Sequence, residues 1–130
     1  MKAELEARKQ TAFRLLNAVF NEGTDFVIDE VCAKNIVAHV SLDTGDIKGI
    51  KAFKDYFKDF LHAFTDIHLD VNKLHAEGDM VDAHASFAGT CIATFRGVPA
   101  KQGEVATEPV FFFKFGPGEK IVEYWQENML

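Results

Sequence analysis

The chain has 130 residues and a mass of 14.5 kDa, a length that predicts a single domain over residues 1–130. Its 14 Lys and Arg residues against 20 Asp and Glu residues give a formal charge of −6. This balance argues against a nucleic-acid groove and against binding to an anionic membrane, because both need clustered cations. The two cysteines lack metal-ligand spacing, so the sequence predicts neither a disulfide framework nor a metal site.

The N-terminal segment MKAELEARKQ is charged and lacks the apolar stretch of a signal peptide. No later segment approaches the ~18 apolar residues of a membrane span. We therefore expect a cytoplasmic protein with reduced thiols. The composition is unusual in its 13 Phe residues, against 2 Tyr and 1 Trp, which indicates either a very aromatic core or an apolar cavity.

The first half of the chain has a helical period. Residues 2–21 carry apolar side chains at helical spacing and predict a first helix that stops near Gly23. We expect a short second helix over residues 24–33 and a short strand over residues 35–40. The side chains of the second helix that are expected to face inward are Phe26, Val27 and Val31.

The strongest helical signal covers residues 48–63. Aromatic side chains recur there at steps of four, three and four residues, which places them on one face of a helix. This stripe consists of Phe53, Phe57, Phe60 and Phe64. Charged residues occupy the opposite side, so we interpret that side as the solvated face.

After residue 65 the hydrophobic period falls to two, which is typical of half-buried strands. Alternation from Ile67 and again from Val81 predicts two strands joined by a hairpin turn at residues 77–79. The later expected segments are a loop over residues 98–103, a strand over 105–115, a turn at 116–118 and a last strand over 120–128. Long strands joined by short turns predict an antiparallel meander that must curl, and hence an α+β fold with a curved sheet around the helices.

Several local strings, taken in order, resemble one known family over essentially the whole chain. They are Val37-Ala38-His39, Gly49, Ala63-Phe64-Thr65-Asp66, Glu77-Gly78-Asp79-Met80-Val81, Gly89-Thr90, Gly97-Val98-Pro99-Ala100 and Gly118-Glu119-Lys120-Ile121-Val122-Glu123-Tyr124-Trp125. Together they resemble the SnoaL-like, polyketide cyclase-like family of the nuclear transport factor 2-like superfamily. No single string is specific, whereas their order and spacing are.

The resemblance implies a cone-shaped α+β barrel, in which N-terminal helices pack in the concave face of a curved, mostly antiparallel sheet around an apolar pocket. Members are commonly homodimers, usually need no cofactor, and bind or transform small organic molecules. The cyclases of the family perform an intramolecular aldol condensation by acid/base chemistry. The same fold also hosts isomerases, dehydratases, epoxide hydrolases and non-catalytic adaptors, so the site has to be argued from its own residues.

The resemblance also implies positions for an acid/base pair. The cyclases use an Asp just after the position of Trp125 and a His on the preceding strand. In this chain the Asp position falls on Gln126, and the His position falls near Phe111. Neither side chain relays a proton near neutral pH, so the family's cyclase mechanism is not expected here.

His39 is the remaining candidate for a general base, because related proteins often carry a His there, on a strand that lines the pocket. The alternative is a structural His bonded to backbone at a strand end. Tyr124 and Gln126 share one face of the last predicted strand, where a hydroxyl and an amide are suited to a ligand carbonyl. Ordinary hydrogen bonding at the rim of the core is the alternative for this pair.

The inner wall of the cone is expected to be aromatic. Alternation places Phe111 and Phe113 on one face, and Cys91 continues the apolar face that includes Phe87. The expected pocket residues are Phe57, Phe60, Phe87, Cys91, Phe111 and Phe113. An aromatic stripe of this kind is either core or binding wall, and in a cone the two coincide.

The convex face is predicted to be an interface. Val110, Phe112 and Trp125 share a parity with charged neighbours, and an apolar patch ringed by charges is typical of a protein–protein contact. We expect a homodimer through this face, and a small apolar organic ligand as the other partner.

Two functions therefore stay open. The first is a cofactor-independent isomerase, lyase or hydrolase that acts on a small apolar carbonyl compound through His39 and the polar groups of Tyr124 and Gln126. The second is a non-catalytic ligand-binding or protein-interaction module that has lost the cyclase acid/base pair.

Overall fold

The α-helices of the described residues all lie before residue 64, and the long strands follow, as the change of hydrophobic period predicts. The computed structural model describes residues 2–40, 45–95 and 103–129. Its elements are α1 (Lys2–Leu16), a π-helical turn (Asn17–Asn21), α2 (Phe26–Val31), β1 (Cys32–His39), β2 (Ile47–Lys48), α3 (Ile50–Ala63), β3 (Phe64–Glu77), β4 (Met80–Cys91), β5 (Gly103–Thr107), β6 (Val110–Gly116), a 3-10 turn (Pro117–Glu119) and β7 (Lys120–Glu127). The string 97–100 and the predicted loop, up to the residue before Gly103, lie outside the described residues.

The described strands form one curved, unclosed sheet of seven strands in the order β2-β1-β7-β6-β4-β3, with β5 also paired to β4. Strands β3, β4, β6 and β7 form the predicted antiparallel meander. At its edge β1 runs parallel to β7, with Ala38 opposite Tyr124 and His39 opposite Trp125. The α+β prediction is therefore confirmed. The parallel pairing of β1 and β7 places the first described strand of the chain beside the last.

The single strand predicted over residues 105–115 is wrong, because the structure divides it at Pro109. Strand β5 ends at Thr107 and β6 begins at Val110. Proline has no N–H to donate to a ladder, so it interrupts a strand. Its carbonyl still accepts a hydrogen bond from the backbone N–H of Ala85 at 3.1 Å, which keeps both halves along β4.

The second helix is shorter than predicted, and one of its expected inward residues points outward. Helix α2 has six residues, and its buried side chains are Val27, Ile28 and Val31. Phe26 is 53% exposed, which corrects the prediction that it faces the core. Helical geometry places these three side chains on one face of α2 and turns Phe26 away from that face.

The concave side of the sheet is filled by aromatic side chains of α3. Phe53, Phe57 and Phe60 are buried, as the helical periodicity predicts, and Phe64, the first residue of β3, is buried beside them. Asn21 fastens the end of the π-helical turn to β3, because its amide accepts from the backbone N–H of Leu69 at 2.8 Å and donates to the Leu69 carbonyl at 2.9 Å. In the described part of the chain, no helix combines the length and the apolar character needed to cross a membrane.

Candidate functional site

Three uncharged polar side chains meet inside the cone. The Tyr124 hydroxyl donates a hydrogen bond to Gln126 Oε1 at 2.6 Å, and Gln126 Nε2 donates one to the Tyr56 hydroxyl oxygen at 2.6 Å. Tyr56 and Tyr124 are fully buried, and Gln126 is 2% exposed. We call this set the tyrosine–glutamine network. Buried polar groups of this kind are stable only when they are hydrogen-bonded, so the network fixes the position of all three side chains.

Strand periodicity positions two members of the network, and helical periodicity positions the third. Tyr124 and Gln126 are two residues apart on β7, so both point inward. Tyr56 lies three residues after Phe53 and four before Phe60, on the buried side of α3. Tyr56 was not among the site residues predicted from the sequence, although its spacing relative to the phenylalanine stripe carried the signal.

The two positions assigned to the family's acid/base pair are direct neighbours. Phe111 of β6 pairs with Gln126 of β7 in the antiparallel register, and both side chains are buried. A phenyl ring and an amide therefore occupy adjacent inward positions. Glu127, the next residue on β7, is exposed, as strand alternation requires.

The interior around the network stays uncharged at neutral pH. Burial raises the pKa of the Tyr124 hydroxyl well above its ordinary value, with smaller contributions from Tyr56 and Cys32. Burial also raises the pKa of the Cys32 thiol to about 12. Both groups therefore keep their protons, and the hydrogen bonds of the network are made by neutral donors and acceptors.

The structure brings all six predicted pocket residues to the buried interior: Phe57, Phe60, Phe87, Cys91, Phe111 and Phe113. Their rings pack on one another and on the network. The Phe57 and Phe113 ring centroids lie 6.2 and 5.5 Å from that of Tyr124, and Phe60 lies 5.6 Å from Phe87. These distances are typical of stabilising aromatic pairs, so the stripe is a packed core and at the same time the wall around the network.

His39 does not share the interior with Tyr124 and Gln126. Ala38, before it on β1, and Val40, directly after the end of the strand, are both buried, so strand alternation turns His39 to the outer face. This placement corrects the expectation that His39 lines the pocket. The strand itself was predicted correctly, but the His39 side chain points to the opposite face of that strand.

On the outer face, His39 is bound by two carboxylates. Its Nδ1 lies 2.8 Å from Asp46 Oδ1, and its Nε2 lies 2.8 Å from Glu123 Oε2. Its ring stacks on Trp125 at 5.2 Å between centroids. The hydrogen bond to Glu123 raises the pKa of His39, desolvation opposes this, and the hydrogen bond to Asp46 raises it further.

The same outer face carries the predicted interface patch. Phe112 lies directly opposite Trp125 in the β6–β7 register, and Val110 is two residues before Phe112. All three side chains are half-buried. Lys114 pairs with Glu123 beside them, so charged groups border the patch as the sequence indicated.

Across residues 2–40, 45–95 and 103–129, no three His, Cys, Asp or Glu side chains are grouped to hold a metal ion. His68 and His84 each hydrogen-bond a neighbouring aspartate on the outer face, at 3.0 and 3.2 Å. Cys91 donates through its thiol to the Ala93 carbonyl at 3.3 Å.

Comparisons with known proteins agree with this architecture. A family model described as SnoaL-like polyketide cyclase matches residues 10–128. A search of the curated proteins gave no significant match. Among solved structures, a protein of Jannaschia sp. CCS1 that is assigned to the SnoaL-like polyketide cyclases superposes with a TM-score of 0.82 at 20% identity, covering 94% of this chain and 85% of that one.

Two further structures come from Streptomyces species. AclR of Streptomyces galilaeus, assigned as a hydroxylase, has a TM-score of 0.76 at 25% identity over 96% of this chain and 81% of its own. Wild-type IdmH of Streptomyces antibioticus, assigned as a polyketide cyclase, has a TM-score of 0.75 at 21% identity over 94% of this chain and 91% of its own. One fold thus carries different assigned activities, and the activity of this chain must come from its own side chains.

Proposed function

The chain belongs to the SnoaL-like polyketide cyclase family, and from this membership and the interior described above we propose that it is a cofactor-independent protein that binds a small, uncharged carbonyl compound inside the cone. The family suggests a small-molecule-binding protein of the cyclase or isomerase type. The ligand class follows from the tyrosine–glutamine network.

The observation that carries the proposal is the absence of charge from the network itself. Tyr56, Tyr124 and Gln126 offer hydroxyl and amide groups, which match a ketone, ester or amide carbonyl without requiring either side to ionise. A carboxylate ligand would be desolvated among phenyl rings without a cationic partner from the network, which is costly. The proposed ligand is therefore neutral, with an apolar body that fits the aromatic wall.

A specific observation favours binding over catalysis. The inward positions that the resemblance assigns to the family's acid/base pair fall on Gln126 and near Phe111, and neither of these side chains transfers a proton at neutral pH. His39, whose pKa is raised by its hydrogen bond to Glu123, lies on the outer face. We accordingly put the non-catalytic ligand-binding module first.

For the outer face we propose a homodimer contact centred on Val110, Phe112 and Trp125. Half-buried aromatic side chains bordered by charged residues support this assignment. His39 stacks on Trp125, so its imidazole belongs to the same surface. We propose that His39 acts there, as an ionic bridge between Asp46 and Glu123, rather than as a general base.

A ligand pair of matched shape tests the proposal. We expect 2-acetylnaphthalene, a neutral ketone, to raise the melting temperature, and 2-naphthoate at the same concentration to leave it nearly unchanged. A ligand present at 100 times its Kd stabilises by about 2.7 kcal/mol, which is readily measured. The Gln126→Leu variant should lose most of the ketone effect, whereas Gln10→Leu, on the exposed side of α1, should keep it. Stronger stabilisation by 2-naphthoate would contradict the neutral-ligand proposal.

A further inference from the structure

A cleft on the helical side of the molecule reaches the aromatic wall from outside. It has a volume of about 240 Å³ and lies between the loop that follows the π-helical turn and helix α3. Its lining consists of Val19, Gly23, Thr24, Asp25, Lys54, Phe57, Lys58 and Leu61. Apolar side chains form its base, and charged and polar side chains form its rim.

Phe57 belongs both to this cleft and to the interior. Its ring centroid lies 5.3 Å from Tyr56 and 6.2 Å from Tyr124, two of the three members of the network. The ring is 2% exposed, so the side chain that lines the cleft also packs against the buried network. Phe57 therefore links the lining of the cleft to the network.

The contacts at the rim of the cleft contribute little to stability. Gly23 has a φ of 66°, and a β-carbon at this position would lie no nearer than 4.0 Å to Leu61, so the loop approaches α3 loosely. Lys54 reaches across to Asp29 of α2 with an N–O distance of 2.5 Å, near the surface. Surface ion pairs contribute little to stability, so this ion pair breaks readily.

Crossing the described strands would be costlier. Strands β3, β4, β6, β7 and β1 are hydrogen-bonded to one another, with register irregularities between β1 and β7, between β3 and β4, and between β6 and β7. A ligand that crossed the sheet would have to break several backbone hydrogen bonds, each of which leaves buried groups unpaired. Passage beside one aromatic ring on the helical side disturbs far less structure.

We propose that the ligand reaches the interior through this cleft, and that Phe57 is the gate that it must displace. This inference rests on the proposed function, since it concerns how the interior is loaded. A phenyl gate between helices passes flat, apolar molecules most easily. Phe57 thus restricts the ligand by width, while the tyrosine–glutamine network restricts it by charge.

Bulk added at the rim after folding tests the inference. Thr24→Cys places a thiol on the cleft, and N-ethylmaleimide then enlarges it in the folded protein. The native Cys32 and Cys91 are 3% and 2% exposed, so they are protected from the reagent. Stopped-flow binding of 2-acetylnaphthalene is measured on one Thr24→Cys preparation before and after labelling, which removes any question of folding.

We expect labelling to lower the association and dissociation rates together by about tenfold, with the Kd unchanged within about twofold, as for an obstructed passage. Leu61→Trp, which fills the cleft genetically, should behave alike, and Leu74→Trp on β3 should bind at the unmodified rate. Unchanged association rates would place the passage elsewhere and overturn the inference while leaving the proposed function intact. A weaker Kd with an unchanged association rate would make the cleft the binding site itself, and absence of ketone binding to the unlabelled protein would overturn both proposals.

Discussion

Replacing Gln126 by leucine removes the centre of the tyrosine–glutamine network at nearly constant side-chain volume. The Tyr124 hydroxyl loses its acceptor and the Tyr56 oxygen loses a donor, each at 2.6 Å and fully buried. Losing a buried hydrogen bond while its partner group stays buried costs about 1–3 kcal/mol, so the loss of both bonds should lower the free energy of unfolding by about 2–4 kcal/mol after the apolar gain of leucine. For a chain of 130 residues this corresponds to a fall of about 10 °C in melting temperature.

Urea unfolding followed by circular dichroism measures this loss, with Gln10→Leu as the exposed control. Tyr124→Phe should cost about 1 kcal/mol alone, because it removes only one hydrogen bond. The double variant should lose at least about 0.5 kcal/mol less stability than the sum of the two single losses, since both substitutions remove the same contact. A Gln126→Leu protein as stable as Gln10→Leu, or strict additivity with Tyr124→Phe, would refute the network.

Three further outcomes follow from the packing and the outer face. Phe60→Ala should lower the free energy of unfolding by about 3–5 kcal/mol, because the ring is fully buried among other aromatic rings. Phe26→Ala, at an exposed position, should change stability little. Equal urea midpoints for the two variants would contradict the placement of the phenylalanine stripe in the core. Asn21→Ala should cost about 1 kcal/mol, because Asn21 is exposed and water partly replaces its two hydrogen bonds to the Leu69 backbone; hydrogen exchange at the Leu69 amide should increase, and an unchanged rate would contradict this. The pKa of His39 is raised in the folded state, so its stabilisation is complete below the unfolded value of about 6.5 and is lost as the pH rises through the folded value. His39→Gln should therefore be less stable than the native protein at about pH 6 and approach it at about pH 9, and a difference that is the same at both pH values would contradict the ionic bridge.

Periodicity alone predicted which faces of the long helix and of the last strands are buried. It also predicted that Tyr124 and Gln126 point the same way, because side chains two apart on a strand share a face. It could not assign His39 to a face of the sheet. Hydrophobic residues occur at both alternating positions of this short strand, so only its pairing with a neighbouring strand decides which side chains point inward. The register with β7 supplies that information.

Tyr56 was overlooked for a different reason. It lies among charged residues on the long helix, and the phenylalanine stripe alone accounted for the buried face, so the tyrosine was not needed to explain the periodicity. Only the packing of α3 against β7 reveals that its hydroxyl meets Gln126. The split at Pro109, by contrast, was readable in the sequence, because proline lacks the N–H that a continuous strand requires.

The side-chain amide of Gln126 reports most directly on the central claim that a neutral carbonyl ligand binds at the tyrosine–glutamine network. Its two N–H signals can be followed by NMR of the ¹⁵N-labelled protein during titration with 2-acetylnaphthalene, with the exposed side-chain amide of Gln10 as an internal reference. We predict that the Gln126 signals shift with the ketone and not with 2-naphthoate, while the Gln10 signals stay in place. Saturable ketone binding that leaves the Gln126 signals unmoved, or a larger shift with 2-naphthoate, would contradict the account.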